Sequence, residues 1–272
     1  MAARDRRVFA PLRVGWRHRE LILAVLRREL ADRFSGSAFG WAWAILGPLM
    51  TLAIYILTFT RAMRLPVASA QAGVISYTLS TFIGLIVFGL FSELCCRAPG
   101  LMHEHAWFLK TSIFPSETLA WTAVLRAFSF AGISFAVLLV FHLVVAGLPP
   151  PSILLLPLIL VPLVLFLLGL VWFLAALGAF TRDLSYLMIT LVPLLLLGTP
   201  VFYRASDLPY RLGIAAYANP LGAAIEMMRA IVLGGTPPLP IVYAWFVLLS
   251  LLVCRGGYAV FARYKGILVD VI

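Results

Sequence analysis

The sequence predicts an all-α integral membrane protein with six transmembrane helices and an N-terminal amphipathic interfacial helix. A cytoplasmic docking helix between spans 2 and 3 and outer re-entrant helices between spans 5 and 6 complete the predicted fold. Three observations carry this prediction. Of 272 residues, 63% are hydrophobic and only 12% charged, about half the charged share of a soluble domain. Mean hydropathy over the whole chain is +1.04. Apolar stretches near the ~20 residues needed to cross a hydrocarbon core recur along almost the full length, which excludes a soluble domain held by one anchor.

Residues 1–35 read as a cytoplasmic basic segment and interfacial helix, and residues 36–272 as the six-helix membrane domain. Nine arginines (Arg4, Arg6, Arg7, Arg13, Arg17, Arg19, Arg27, Arg28 and Arg33) fall in the first segment. The net charge of +10 does not imply nucleic acid, because no aromatic-interleaved basic domain accompanies these residues. Membrane lipid is the expected partner. Ile22, Leu23, Leu26, Leu30 and Phe34 share one arc of a helix, with Arg27, Arg28 and Asp32 off it, as an interface-lying helix requires. No apolar core precedes residue 21 and no small-residue cleavage pattern follows, so a removable signal peptide is not expected.

Spans are predicted at 39–60, 74–94, 124–146, 153–180, 185–203 and 241–261. Adding Arg97, Lys110, Arg126, Arg182, Arg255, Arg263 and Lys265 to the nine gives sixteen basic residues on one face. Arg61, Arg64, Arg204, Arg211 and Arg229 give five on the other, so both termini are predicted in the cytoplasm. Cys95, Cys96 and Cys254 fall at inner helix ends and are expected as free thiols. Residues 95–117 hold a short helix, His103 to Leu109, stopped by Phe114-Pro115. Between spans 5 and 6, Asn219-Pro220 supplies a cap and first-turn pair for a helix that ends at Gly234-Gly235. Its semi-apolar surroundings predict helices dipping back into the outer leaflet. Pro193 and Pro200 predict a kink in span 5.

The chemistry removes several function classes. All eleven acidic residues are placed in termini, connections or span ends, so no intramembrane carboxylate is predicted to serve ion-coupled transport. A P-loop needs a Gly-Lys pair, and the only lysines, Lys110 and Lys265, follow Leu109 and Tyr264; any ATP must be hydrolysed by a partner. His103-Glu104-His105 lacks the i, i+4 spacing of a zincin helix and reads as a solvated cytoplasmic turn, so no metal site is predicted. His142, near the outer end of span 3, reads as a packed or interfacial histidine and not a catalyst. Glu226 and Arg229, at i, i+3, are expected to pair, as are Arg182 and Asp183.

Several strings, in order, resemble the permease subunit of ABC transporters that export polysaccharides. Arg28-Glu29-Leu30 with Arg33-Phe34, then Gly40-Trp41-Ala42-Trp43 and Pro48, resembles the interfacial helix leading into span 1. Leu109-Lys110 with Phe114-Pro115 and Glu117 resembles the docking segment, and Phe180-Thr181-Arg182-Asp183 the turn after span 4. Thr199-Pro200-Val201-Phe202-Tyr203, Leu208-Pro209 and Asn219-Pro220 resemble the end of span 5 and the outer re-entrant region. Met102-His103-Glu104-His105 departs from that pattern, where an Asn and a further Lys would be more usual.

The resemblance implies a homodimer with two ATPase subunits that bind ATP and Mg, no cofactor in this chain, and transfer of a lipid-linked glycan across the bacterial inner membrane. An O-antigen-like cargo is preferred over capsule or teichoic acid. A permease for drugs or small lipids and an intramembrane enzyme are the rival readings. His103, Trp107, Phe108, Leu109 and Lys110 are the ATPase-docking candidates. Trp41, Trp43, Tyr55 and Tyr203 are candidates for the glycan path, against a plain interface-belt role for the Trp pair. Arg27, Arg28 and Arg33 could bind a lipid pyrophosphate bidentately or simply hold the helix on anionic lipid. Pro200, Asn219, Pro220, Glu226 and Arg229 are outer-gate candidates.

Overall fold

A computed structural model describes residues 10–62, 67–111, 114–235 and 238–271. Arg4, Asp5, Arg6, Arg7 and Arg64 lie outside the described residues, as do the side chains of Arg61 and Asp270. Among the described residues every regular element is helical. In chain order these are α1 (Ala10–Arg17), α2 (Arg19–Asp32), α3 (Trp43–Ala62), α4 (Val67–Arg97), α5 (Leu101–Glu104) and α6 (Ala106–Thr111). They continue with α7 (Thr118–Ala146), α8 (Leu156–Gly178), α9 (Asp183–Gly198), α10 (Tyr210–Ala218), α11 (Pro220–Leu233) and α12 (Pro240–Val271).

Five helices, α3, α4, α7, α8 and α12, are long and apolar enough to cross a membrane. The predicted fifth span is shorter than expected, because α9 ends at Gly198 after 16 residues. Thr199 precedes Pro200 and adopts extended backbone (φ −102°, ψ 137°), as a residue crowded by a proline ring must. Pro193 therefore lies inside α9, whereas Pro200 lies beyond its end and kinks no helix. At 1.5 Å per residue α9 is about 24 Å long, short of a core of about 30 Å.

Other boundaries move charge into helices. The third span begins at Thr118, six residues before the predicted 124, so Arg126 sits on its third turn. The second runs on past the predicted 94 and takes Arg97 into its last turn. The docking connection is two helices, α5 and α6, and not one from His103 to Leu109. His105 (φ −109°, ψ 15°) breaks the run. Its imidazole Nδ1 lies 3.0 Å from Leu101 O and Nε2 faces another helix, while its carbonyl accepts from the Leu109 N–H at 3.1 Å and opens α6.

The core is centred on α8 and α12, which approach through glycine. A Cβ at Gly257 would lie 1.9 Å from Gly169 O, so only hydrogen fits there. Small residues at such crossings let backbones meet where no hydrophobic drive between membrane helices exists. Trp172 of α8 is fully buried and donates from Nε1 to Glu117 O at 3.1 Å, tying α8 to the start of α7. Glu117 in turn accepts from Lys265 Nζ of α12 at 2.6 Å. The ends of α4, α8 and α12 and the starts of α7 and α9 therefore gather at one end of the bundle, where α2 lies across α7. Ile22 and Leu26 are the buried face of α2, while Leu23 of the same predicted arc faces outward.

Candidate functional site

Charged side chains that local pattern places at the rim form one continuous network beneath α2. Glu29 Oε2 accepts from Arg97 Nη1 at 2.9 Å and from Arg126 Nη1 at 3.4 Å, and Glu29 Oε1 faces His105 Nε2 at 3.4 Å. Arg97 also grips Glu104 at 3.1 Å. Arg126 reaches Glu93 at 3.3 Å, and Glu93 accepts from Arg33 at 3.1 Å. The α2 segment, α4, α7 and the α5–α6 connection thus meet through three arginines, three glutamates and one histidine. Periodicity contains one signal of this: Glu29 lies i+3 from Leu26 and i+7 from Ile22, within the buried stripe of α2. His105 is half-buried against that stripe, which corrects the expectation of a solvated turn.

Burial alone would raise the Glu29 pKa, but hydrogen bonds and charge from His105 and Arg97 outweigh it and hold the carboxyl at about 2. The bond to Glu29 raises the His105 pKa, against the opposing effect of burial. The two signs define a pH window. Glu29's contribution is present above the ordinary carboxylate value of 4.5 and lost only as pH falls toward about 2. That of His105 is full below 6.5 and lost as pH rises through its raised folded value. The clasp is complete between these ordinary values and loosens at alkaline pH. Backbone hydrogen exchange across residues 101–111, corrected for intrinsic rate, is expected to lose protection as pH rises above neutral. His105→Gln is expected to remove that dependence.

A second charged cluster lies at the other end of the bundle. Arg229 of α11 is 5% exposed and donates to Ser80 O of α4 at 3.0 Å, Val201 O at 2.6 Å and Tyr203 O at 3.0 Å. Its Nη1 pairs with Glu226 Oε1 at 2.8 Å, as expected for i, i+3, and Glu226 also accepts from the Ala205 N–H at 3.2 Å. Tyr77 donates to Phe202 O. The irregular backbone after α9 is thus tied to α4 and α11 carbonyl by carbonyl, which such backbone needs away from water. Asn219 caps α11 as predicted, its side chain accepting from the Leu221 N–H at 3.0 Å, and Gly234 closes it in the left-handed region at φ 71°. Pro200 is buried beside Gly222.

The remaining candidates scatter. Trp41 packs on Phe34 (5.6 Å between ring centroids) and Phe130 (6.2 Å), and Arg33 lies 3.8 Å over Phe130. Trp43 is exposed beside Phe39. Tyr55 stacks on Phe202 at 6.3 Å, and the Tyr203 hydroxyl reaches Leu197 O at 3.3 Å, so both belong to the Arg229 cluster. Arg27 and Arg28 face outward, Arg28 alongside Asp32 at 3.7 Å and over Phe108, whereas Arg33 is committed to Glu93. A groove of about 270 Å³ between α3, α4 and α7 is lined by Arg33, Thr51, Glu93, Phe130 and Ser134, among others. In the docking connection Trp107 is 71% exposed and Lys110 exposed, while Leu109, at 6%, is buried in the bundle core. His103 is half-buried. His142 is packed at the end of α7 with Nδ1 3.2 Å from Gly147 O, and all three cysteines are free.

The profile of the ABC-2 type transporter family matches residues 20–233. The chain is 26% identical over 193 residues to the O-antigen export system permease protein RfbA of Myxococcus xanthus, covering 71% of this chain and 72% of the relative. A protein of the same description from Klebsiella pneumoniae is 24% identical over 217 residues, covering 79% of this chain and 81% of its own length.

Proposed function

Because the chain belongs to the ABC-2 type transporter family, we propose that it is the membrane-spanning subunit of an ATP-driven exporter that moves a lipid-linked polysaccharide of the O-antigen kind. One observation carries the reading: relatives described as O-antigen export permeases align over more than two thirds of both chains. The family implies a separate ATPase subunit, which agrees with the missing Gly-Lys pair. The working unit is two copies of this chain with two ATPase subunits, in a bacterial inner membrane with both chain termini cytoplasmic.

That orientation takes six crossings, with α9 as the fifth. α9 is short, but it starts beside the 98–100 turn at the inner end, and the segment leaving it is bonded to Tyr77 and Arg229 at the other. With the turn-rich segment Thr199–Tyr203 that follows it, α9 makes the fifth crossing. α10 and α11 then form the re-entrant outer region, and Arg229 with Glu226, Pro200, Asn219 and Pro220 builds the outer closure. Lipid pyrophosphate is met at the inner leaflet by Arg27 and Arg28, whose guanidinium forks face outward; Arg33 instead positions α2. Trp41, Trp43, Tyr55 and Tyr203 offer aromatic faces along the route.

ATP-driven motion enters through residues 98–115. Trp107, Phe108 and Lys110 present the contact, Leu109 anchors it, and the Glu29 network passes displacement to α2. Proteoliposomes holding this chain, its ATPase and a lipid-linked glycan test the reading. Export is expected only with ATP and both subunits, and Trp107→Ala with Phe108→Ala is expected to stop it while the complex stays assembled. ATP turnover by the solitary chain, or a drug in place of glycan as the transported species, would overturn it.

A further inference from the structure

We propose that α1, the first turn of α2 and the inner end of α7 form a discrete binding site for one anionic phospholipid of the inner leaflet. The inference is independent of the exported cargo, and most of its residues precede the region matched by the family profile, which begins at residue 20.

Two adjoining clefts make the site. The first, about 710 Å³, falls within the ~300–1,000 Å³ typical of ligand pockets. Its walls are apolar, from Leu12, Trp16, Leu23, Trp121 and Leu125 among others, and its charged lining residues are Arg13 and Arg19. The second, about 540 Å³, is lined by Arg17, His18, Glu20 and Leu21, and shares Trp16 and Arg19 with the first. An apolar trough therefore runs into a cationic one across a common wall. A phospholipid presents the same order, chain and then phosphate.

The site is held open by specific contacts. Trp121 Nε1 donates to Pro11 O at 3.2 Å, which pins α1 to α7. Gly15 lies flat against the same indole, where a Cβ would come within 2.7 Å of the ring. Arg19 sits 5.1 Å over the Trp16 ring, so its guanidinium stands at the rim between the clefts. Trp16 is 75% exposed and Leu23 44%, an apolar surface that water would disfavour and an acyl chain would cover. Two arginines against one glutamate give the polar half a net positive charge, Arg13 adds a third cation from the adjoining cleft, and guanidinium forks match phosphate oxygens bidentately. The depth agrees as well. Trp121 and Leu125 lie on the first two turns of α7, next to the cluster that gathers the inner helix ends.

The full chain in phosphatidylcholine nanodiscs, doped with brominated-chain phosphatidylglycerol or brominated-chain phosphatidylcholine, tests this by tryptophan quenching. Trp16 and Trp121 report from the site, and the double Gln variant below, which keeps every tryptophan, supplies the background. Half-maximal quenching of the emission from Trp16 and Trp121 is expected at roughly 30-fold lower mole fraction of the anionic lipid, the preference that two near-surface basic residues provide. Arg13→Gln with Arg19→Gln is expected to erase the preference, and Leu23→Asn, which attacks only the apolar half, to weaken both lipids. Equal quenching by the two lipids, or a preference that survives the double Gln change in folded protein, would overturn the proposal. So would displacement of phosphatidylglycerol by an equal mole fraction of polyprenyl phosphate, since the site would then belong to the substrate carrier.

Discussion

Export is expected to fall by at least tenfold when Glu29 is replaced by alanine, with the permease and its ATPase still assembled. Glu29 is the shared acceptor of Arg97, Arg126 and His105, and its side chain is 14% exposed. Removing it leaves cations from α4, α7 and the docking connection facing one another without a counter-charge. Breaking a buried pair in this way costs about 3 kcal/mol at the lower end of such changes, and each 1.4 kcal/mol is tenfold in an equilibrium. The cost falls on the contact between α2 and the docking connection, not on the α8–α12 core, so the complex persists while its moving parts disengage. Glu29→Gln keeps the shape and an acceptor but loses the charge, and an intermediate export rate is expected. A double-mutant cycle of Glu29→Ala with His105→Ala isolates the pair, and a coupling energy near zero with normal export would refute the linking role.

Arg229→Met is expected to destabilise the folded chain by about 3–5 kcal/mol, because it leaves Glu226 buried without its cation and three carbonyls without a donor. Methionine fills most of the volume, so packing loss is minor and the polar deficit dominates. Arg229→Lys restores the charge but not the fork. One ammonium cannot serve Ser80 O on α4 and both carbonyls of the 201–203 segment, so partial rescue is expected. Thermal unfolding in detergent and limited proteolysis across residues 199–209 measure the effect. A Met variant as stable and as protease-resistant as the parent would show that the cluster does not hold the outer segment.

Much of the architecture was legible in local pattern. The share of apolar residues and their run lengths specify membrane helices, because a span needs only length and hydropathy. Asn219-Pro220 and Gly234 mark the two ends of α11 because a cap, a first-turn proline and a left-handed glycine act within one turn. The missing Gly-Lys pair and the ordered short strings already directed the reading to a transport subunit with an external ATPase.

The sites depended on tertiary structure. His105 breaks the docking helix because its ring is drawn to Glu29, 76 positions away, and no local propensity encodes that partner. Leu109 was grouped with Trp107 and Phe108 as a docking residue, yet the rotation of α6 buries it. Local pattern gives Arg229 a place in the outer-gate set and one bonding partner, Glu226, whereas most of its bonds go to carbonyls of Ser80, Val201 and Tyr203. Hydropathy and periodicity average a residue's surroundings over a turn or a span, so they determine which segments are helices and which faces are apolar. Which charge meets which depends on how helices distant in sequence cross and rotate about their axes, and packing of the whole bundle decides that.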